Sequence, residues 1–191
     1  MDKTSKKIID AMMDIILEKG YAGATTKDVA ERAGVNECTI FRKFKEKKEI
    51  VLAGMNLEQY RPKISSQTFS DIKWDIEEDL KMFMENYMKE VTPRFVRLSI
   101  GLRSPQIYEQ TAPLIMDIPN IFLRALTDYL TQMKKMKKIR DIDCGVTAAA
   151  ILSATFGYTF FSASFEDDLI TANRSEYINT TVKSFVGGIV L

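Results

Sequence analysis

Histidine is absent from this chain of 191 residues. Without an imidazole the chain lacks the most common general base, the central residue of Ser-His-Asp triads and the usual nitrogen ligand of zinc. The sequence also has no phosphate-binding loop and no dinucleotide-binding fingerprint. We therefore expect a protein that is not an enzyme and that needs neither a metal ion nor a cofactor.

Cysteine is also scarce, since Cys38 and Cys144 are the only two, too few for a disulfide framework. The chain shows no basic-then-apolar leader with a small-residue cleavage site, so we expect a cytoplasmic protein. Charge of one sign is not in excess either, because 27 Lys and Arg residues balance 26 Asp and Glu residues. A nucleic-acid partner must therefore be sought in the local distribution of charge.

Proline and glycine are few, 5 and 9 residues respectively, and apolar residues recur at steps of three and four rather than alternating. The pattern predicts an all-α protein. Residues 63–70 are polar without a clear period and predict a loop. Five further helices are expected at about residues 71–91, 94–103, 107–138, 144–164 and 174–190, with a kink or restart of the third at Pro119.

The N-terminal part of the chain carries helix-capping residues at short intervals. A first helix over about residues 4–19 ends at Gly20, which suits the left-handed C-cap conformation. Thr25, with Asp28 three residues later, matches a capping box and opens a second helix. The sequence therefore predicts a tight turn between two helices.

The second helix is short and ends at Gly34, and Asn36 is an N-cap for a third helix over about residues 37–44. A fourth helix follows and ends before Pro62. The small side chain of Ala30 lets the second and third helices approach each other, a spacing typical of a helix-turn-helix. Their shared core is expected to contain Val29, Val35 and Ile40.

Residues 144–165 form an uncharged run, with basic residues before it (134, 135, 137, 138 and 140) and Glu166, Asp167 and Asp168 after it. Length and flanking charges fit a membrane span. The run is, however, rich in Ala, Gly, Ser and Thr, so its transfer into lipid is only weakly favourable. We therefore favour a helix buried with the last helix in a homodimer, with no membrane, over a membrane span or the core helix of a monomer.

The N-terminal region resembles the signature of the TetR family of transcriptional repressors over about residues 5–55. The resemblance rests on Gly20-Tyr21, residues 25–30, Ala33-Gly34-Val35, Thr39-Ile40-Phe41, Phe44 and Lys47-Lys48-Glu49. It implies a helix-turn-helix DNA-binding domain over residues 1–50. It also implies a larger helical effector-binding and dimerisation domain over residues 51–191.

The resemblance further implies that the helix 37–44 enters the major groove of a double-stranded DNA operator. Lys27, Lys43 and Lys47 would then neutralise phosphates, and either Arg42 or Glu37 would reach a base edge. The positions that match the family's DNA contacts are Thr25, Thr26, Lys27, Asn36, Glu37, Cys38, Thr39, Phe41, Arg42, Lys43 and Lys47.

Two of these positions allow more than one interpretation. Phe41 stands where the family more often has a tyrosine, and its ring either meets DNA or packs on the first helix. Cys38, at the start of the recognition helix, is either an oxidation-sensitive thiol or an inert side chain that, like Thr39, contacts a thymine methyl group.

For two charged clusters we favour a structural role on a helix surface over a functional site. The lysines at 134–138 lie in the last turn of a helix, where cations are favoured, although they also resemble a second nucleic-acid patch. Glu77, Glu78 and Asp79 are expected on a solvated helix face rather than in a metal site.

The resemblance implies a repressor that a small apolar or amphipathic effector releases from a palindromic operator. The alternative is a small helical protein that handles a substrate or a lipid in the same cavity. Aromatic and apolar residues between positions 83 and 129 are candidates for the effector site, although each also suits the core. They are Phe83, Tyr87, Phe95, Met116, Phe122 and Tyr129.

Overall fold

A computed structural model describes residues 1–165 and 169–190; Glu166, Asp167 and Asp168, the expected acidic flank, lie outside the described residues. In the described ranges the regular secondary structure is helical, apart from one isolated antiparallel bridge between Ile139 and Val190. The all-α prediction is confirmed. The helices are α1 (Lys3–Gly23), α2 (Thr26–Ala33), α3 (Glu37–Lys43), α4 (Lys47–Met55), α5 (Ile76–Glu90), α6 (Pro93–Gly101), α7 (Tyr108–Lys135), α8 (Cys144–Phe165) and α9 (Arg174–Ile189).

The predicted caps explain where the N-terminal helices begin and end. Gly20 has a φ of 71° and interrupts the last part of α1. Thr25 and Asp28 form a complete capping box at the start of α2. Gly34 ends α2 in the left-handed region, with a φ of 66°, and Asn36 caps α3. A β-carbon disfavours these positive φ values, so glycine fits both positions.

Three predicted boundaries differ from the structure. The expected loop 63–70 contains a 3-10 turn, Ser66–Phe69. Helix α5 begins at Ile76 rather than at residue 71, because the Asp75 carboxylate caps the amides of Glu77 and Glu78. Helix α7 does not restart at Pro119. The neighbouring side chains of Ile118 and Phe122 are buried, and their packing offsets the lost backbone hydrogen bond.

The described chain divides into two compact units. The first combines Met1–Pro62 with Arg94–Met116, and the second combines Lys63–Pro93 with the chain from Asp117 onward. The first unit therefore holds the helix-turn-helix together with α4, α6 and the start of α7. A functional boundary near residue 50 stays a prediction.

The core of the first unit forms around α1, which buries isoleucine and methionine side chains on one face. Gly101 at the end of α6 lies against this helix. A β-carbon at Gly101 would stand 2.9 Å from both the Cγ2 and the carbonyl oxygen of Ile16. The absence of a side chain there lets α6 pack closely on α1. The Arg94 guanidinium adds an ion pair to Asp14 of α1 at 2.9 Å.

Candidate DNA-binding surface and ligand site

Helix α3 has one buried face and one exposed face. Its Asn36 cap accepts a hydrogen bond from the Cys38 amide at 2.8 Å, and Ile40 is buried against α1 and α2 in the core. Cys38, Phe41 and Arg42 are exposed. Phe41 leaves 53% of its surface in solvent, so its ring is not part of the core, and its contact with DNA stays a prediction. The exposed face carries an apolar ring beside a guanidinium, a combination that suits contacts in a DNA groove.

Two of the residues predicted to contact DNA form a hydrogen bond with each other. The Thr26 hydroxyl donates to the Glu37 carboxylate, which ties the first turn of α2 to the first turn of α3. Glu37 therefore has a positioning role within the helix-turn-helix. Arg42 is exposed near the C-terminal end of α3, so it is the better candidate of the two for reading a base edge.

The Thr25 side chain also stabilises the start of α2. Its hydroxyl accepts a hydrogen bond from the Asp28 amide at 3.1 Å, and the Asp28 carboxylate accepts from the Thr25 amide and from the Lys19 ammonium. The hydrogen bond from Lys19, followed by that from Thr25, lowers the pKa of Asp28 to about 2. The first turn of α2 is therefore ordered before any phosphate binds.

The predicted phosphate-binding lysines occupy different environments. Lys27 is exposed. The Lys43 ammonium lies 3.1 Å from the Asp2 carboxylate. The Lys47 ammonium donates to the carbonyl oxygens of Tyr21 and Ala24, both at 2.9 Å. Partial burial lowers the pKa of Lys47. Lys47 thus has a structural role at the end of α1 that the sequence did not reveal, and its phosphate contact stays a prediction.

Basic residues at the N terminus of α1 belong to the same surface. Asp2 caps α1 and pairs with Lys43 at the end of α3, which brings these two helix ends together. Lys3, Lys6 and Lys7 are exposed in the first two turns of α1. The sequence analysis missed them, although three lysines within five positions are a charge signal that pointed to nucleic acid.

Four of the six predicted effector residues meet in the second unit. The ring centres of Phe83 and Tyr129 are 5.5 Å apart, those of Phe83 and Phe122 are 6.0 Å apart, and those of Tyr87 and Phe122 are 5.0 Å apart. Phe69 stacks on Phe83 at 5.1 Å. We call these five side chains the aromatic cluster.

Two predicted effector residues do not join the aromatic cluster. Phe95 and Met116 belong to the first compact unit, and Met116 is 50% exposed. Phe69 and Trp74 were not among the predicted residues, because Phe69 lies in the expected loop 63–70 and Trp74 was expected in the first turn of the helix 71–91. Trp74 stacks on Tyr129, with ring centres 6.0 Å apart.

The prediction for Asp79 was wrong. It was expected on a solvated helix face, but only 1% of it is exposed. Asp79 follows Ile76 by three positions and precedes Phe83 by four, so it lies on the buried side of α5. Its Oδ1 accepts a hydrogen bond from the Lys73 amide at 2.8 Å. Within the described residues no cluster of carboxylates and thiols could hold a metal ion.

Helix α8 is, in the described part of the chain, the one helix long and apolar enough to cross a membrane by length and composition. Only 22% of that apolar window is buried. Val146, Phe161 and Phe165 are 66%, 37% and 52% exposed. An apolar surface of this kind calls for a covering partner.

Comparisons with known proteins bear on this arrangement. Residues 8–53 match the family described as bacterial regulatory proteins, tetR family. The chain is 30% identical over 190 residues to the HTH-type transcriptional regulator YvkB of Bacillus subtilis (strain 168), an alignment that covers 99% of this chain and 98% of YvkB.

Solved structures share the fold at lower identity. NalD of Pseudomonas aeruginosa, described as the secondary repressor of the MexAB-OprM multidrug efflux pump, has a TM-score of 0.70 and 15% identity, covering 100% of this chain and 98% of NalD. AibR in complex with isovaleryl coenzyme A and operator DNA has a TM-score of 0.67 and 17% identity, covering 95% of this chain and 97% of AibR.

Proposed function

Because the chain belongs to the TetR family of bacterial regulatory proteins, we propose that it is a cytoplasmic homodimeric repressor that leaves a palindromic operator when a small molecule binds its helical domain. A member of this family is a DNA-binding transcriptional regulator and not an enzyme. The alternative of a substrate- or lipid-handling protein is therefore not retained. The exposed face of α3 is the observation that carries the proposal, because an exposed guanidinium and an exposed apolar ring stand there on a capped helix.

DNA binding is proposed to use this face of α3 in the major groove. Arg42 would read a base edge, and Phe41 and Cys38 would contact thymine methyl groups. Residues around the helix would hold the phosphate backbone, with backbone amides at the start of α2 assisting. This set consists of Thr25, Thr26, Lys27, Asn36, Thr39, Lys43 and Lys47, with Glu37 as a positioning residue.

Dimerisation is proposed to cover the apolar surfaces of α8 and α9. Val146, Phe161 and Phe165 of α8 leave apolar surface in water that a second copy of the chain would cover. A two-fold dimer would present two copies of α3 to a palindromic site, with half-sites about one helical turn of DNA or a related spacing apart. A membrane span would use the same helix, so the oligomeric state in solution distinguishes the two interpretations.

Effector control is proposed to start in the second unit and to reach the first through α7. Phe122 and Tyr129 lie on α7, and the same helix begins at Tyr108 within the first unit. There α6 packs tightly on α1 at Gly101, so a displacement of α6 or of the start of α7 would strain the core that holds α3. AibR, a protein of the same fold, was crystallised with both a ligand and operator DNA.

Selection of fragments from a random duplex library tests the proposal. The full-length wild-type protein should enrich a palindromic sequence and bind it more tightly than scrambled DNA of equal length at moderate salt. Arg42→Ala should lose the enriched sequence, whereas Glu85→Gln, a change on the exposed side of α5, should keep it. Enrichment of no sequence, or equal enrichment by the Arg42→Ala variant, would contradict the proposal.

A further inference from the structure

The second unit contains two buried polar atoms without a partner. Oδ2 of Asp79 and the hydroxyl oxygen of Tyr129 make no hydrogen bond with any residue that the structure describes. Both side chains are almost completely buried, at 1% and 2% exposure. Buried polar groups are nearly always paired, so each exception calls for an explanation.

The Asp79 carboxylate presents the more demanding case. A buried carboxylate is costly unless several donors or an opposite charge face it. Here one backbone amide, that of Lys73, donates to Oδ1. The Lys73 ammonium makes its ion pair with Glu78 at 3.0 Å and interacts with Asp79 only through its charge, without a hydrogen bond to Oδ2. The free Oδ2 is therefore an acceptor that suits a donor with a positive charge.

Tyr129 and charged groups of both signs lie near Asp79. The pKa of Tyr129 is raised by burial first, then by the Asp79 carboxylate, which faces its hydroxyl at a range just beyond an ordinary hydrogen bond, and then by the charge of Asp75. Asp79 and Tyr129 are thus close enough to influence each other, although their atoms do not meet hydrogen-bond geometry. The Lys138 ammonium donates to the Trp74 carbonyl oxygen at 2.7 Å and is committed there.

Aromatic rings supply the second element of the site. The ring of Phe83 lies 5.5 Å from that of Tyr129, and the indole of Trp74 lies 6.0 Å from it, only 22° from parallel. Ring faces attract cations, and a carboxylate beside them strengthens that attraction in a place shielded from water. The combination differs from a purely apolar core, which needs no carboxylate.

Trp74 marks the solvent side of this arrangement. Its indole is 40% exposed, whereas Asp79 and Tyr129 beneath it are buried. Its φ of 60° is unusual for a residue with a β-carbon and a large ring. Backbone outliers of this kind cluster at ligand clamps and switch regions.

We propose that Asp79, Tyr129, Phe83 and Trp74 form a subsite for an organic cation, so that the effector is an amphipathic amine. Its ammonium group donates to Oδ2 of Asp79 and to the Tyr129 oxygen, and its apolar body extends along the aromatic cluster. Trp74 moves aside to admit the ligand and then covers it. This inference rests on the proposed function only in naming the ligand as the effector.

A set of three probes with one apolar body and different charges tests the subsite. Phenylbutylamine is a cation at neutral pH, phenylbutanol is neutral and phenylbutyrate is an anion. Trp74 is the single tryptophan of the chain, so its fluorescence reports binding without DNA. For the wild-type protein we expect the cation to bind at least about tenfold more tightly than the alcohol, and the anion to bind least.

Three variants show whether Asp79 is responsible. Asp79→Asn retains the oxygen that accepts from Lys73 and should bind cation and alcohol about equally. Tyr129→Phe keeps the ring and should weaken binding of the cation less than Asp79→Asn does. Glu85→Gln removes one charge from an exposed position of the same helix and should leave the preference unchanged. Circular dichroism checks that each variant is folded, and Tyr129→Phe keeps the test decisive if Asp79→Asn does not fold.

The outcomes separate this inference from the proposed function. Equal binding of the three probes to the wild-type protein, tighter binding of the anion, or an unchanged preference in both site variants overturns the cation subsite. Failure to select any operator overturns the repressor instead, and it leaves the fluorescence result valid as a ligand site. Release of a selected operator by phenylbutylamine, with less release by phenylbutanol, supports both.

Discussion

The Lys47 ammonium lies 4.0 Å above the centre of the Tyr21 ring and donates to the carbonyl oxygen of the same residue. With its second bond to Ala24, this side chain closes the C-terminal end of α1 against the start of α4. A residue that looks like a phosphate ligand in the sequence therefore also holds the helix-turn-helix together.

Lys47→Ala is expected to act through both roles. Loss of charged hydrogen bonds to two backbone carbonyls should lower the free energy of unfolding by about 1–3 kcal/mol. If Lys47 also contacts a phosphate, affinity for all DNA sequences should fall. The slope of log affinity against log salt concentration should then decrease in magnitude by about one. Urea unfolding and DNA titrations at several salt concentrations measure the two effects. Lys45→Ala, an exposed neighbour, is the control, and equal unfolding curves for both variants would contradict the structural role.

Arg42→Ala should act on sequence discrimination rather than on stability. Arg42 is exposed and its loss removes no core contact. Should it read a guanine edge, the variant loses about 1–3 kcal/mol of discrimination at one symmetric pair of operator positions. Binding of the selected operator and of single-position variants measures this. A loss that is the same for operator and random DNA would make Arg42 a phosphate contact instead.

Asp28 should make the helix-turn-helix sensitive to acid. Its folded-state pKa of about 2 lies below the usual value for a free carboxyl group. A lowered pKa stabilises the fold above the unfolded-state value, and that contribution disappears as the pH falls toward the folded-state value. Wild-type protein should therefore exceed Asp28→Asn in unfolding midpoint at neutral pH, and the difference should shrink between about pH 4 and pH 2. A difference that does not depend on pH in this range would contradict the capping role of the charged form.

Phe161→Lys tests the proposed dimer. Phe161 lies on α8 and is 37% exposed in the single chain, so a charge there should be buried without a partner in the dimer. Sedimentation should show the wild-type protein as a dimer at micromolar concentration and the variant as a monomer or an aggregate. Met136→Lys, which changes an exposed apolar residue outside α8, should stay dimeric. A monomeric wild-type protein would contradict the dimer, and its partition into detergent would favour the membrane span.

Gly101→Ala tests the contact between α6 and α1. The added β-carbon would meet the Ile16 backbone and side chain at 2.9 Å, so the variant should lose about 1–3 kcal/mol of stability through overpacking. Gly23→Ala is the matched control, because its new β-carbon meets only the flexible side chain of Lys19. Urea unfolding measures both variants. A Gly101→Ala protein as stable as the control would show that the two helices separate easily.

Local chemistry explains which parts of the fold were predictable. Thr25, Gly34 and Asn36 act within three or four positions of their own helix ends, and for that reason their caps could be read from the sequence. The burial of Ile40 was predicted correctly. The position of Phe41 was left open, because no local signal says whether a ring at the edge of a short helix packs on another helix.

Long-range contacts explain what was missed. The Lys47 bonds join positions more than twenty residues apart, and no spacing rule reveals them. Asp79 looked solvated because it stands beside Glu77 and Glu78 in the sequence. Its burial depends on where α5 begins and on the ring of Tyr129, which arrives from another helix.

The exposed ring of Phe41 has a thermodynamic consequence for DNA recognition. In the free protein more than half of this side chain is hydrated, and contact with thymine methyl groups would remove that water. Burial of apolar surface lowers the heat capacity of a complex, whereas contacts to phosphates through lysines do not. Specific binding should therefore become more exothermic with rising temperature, while nonspecific binding keeps nearly the same enthalpy. Temperature thus separates the two modes of association without any change in the protein.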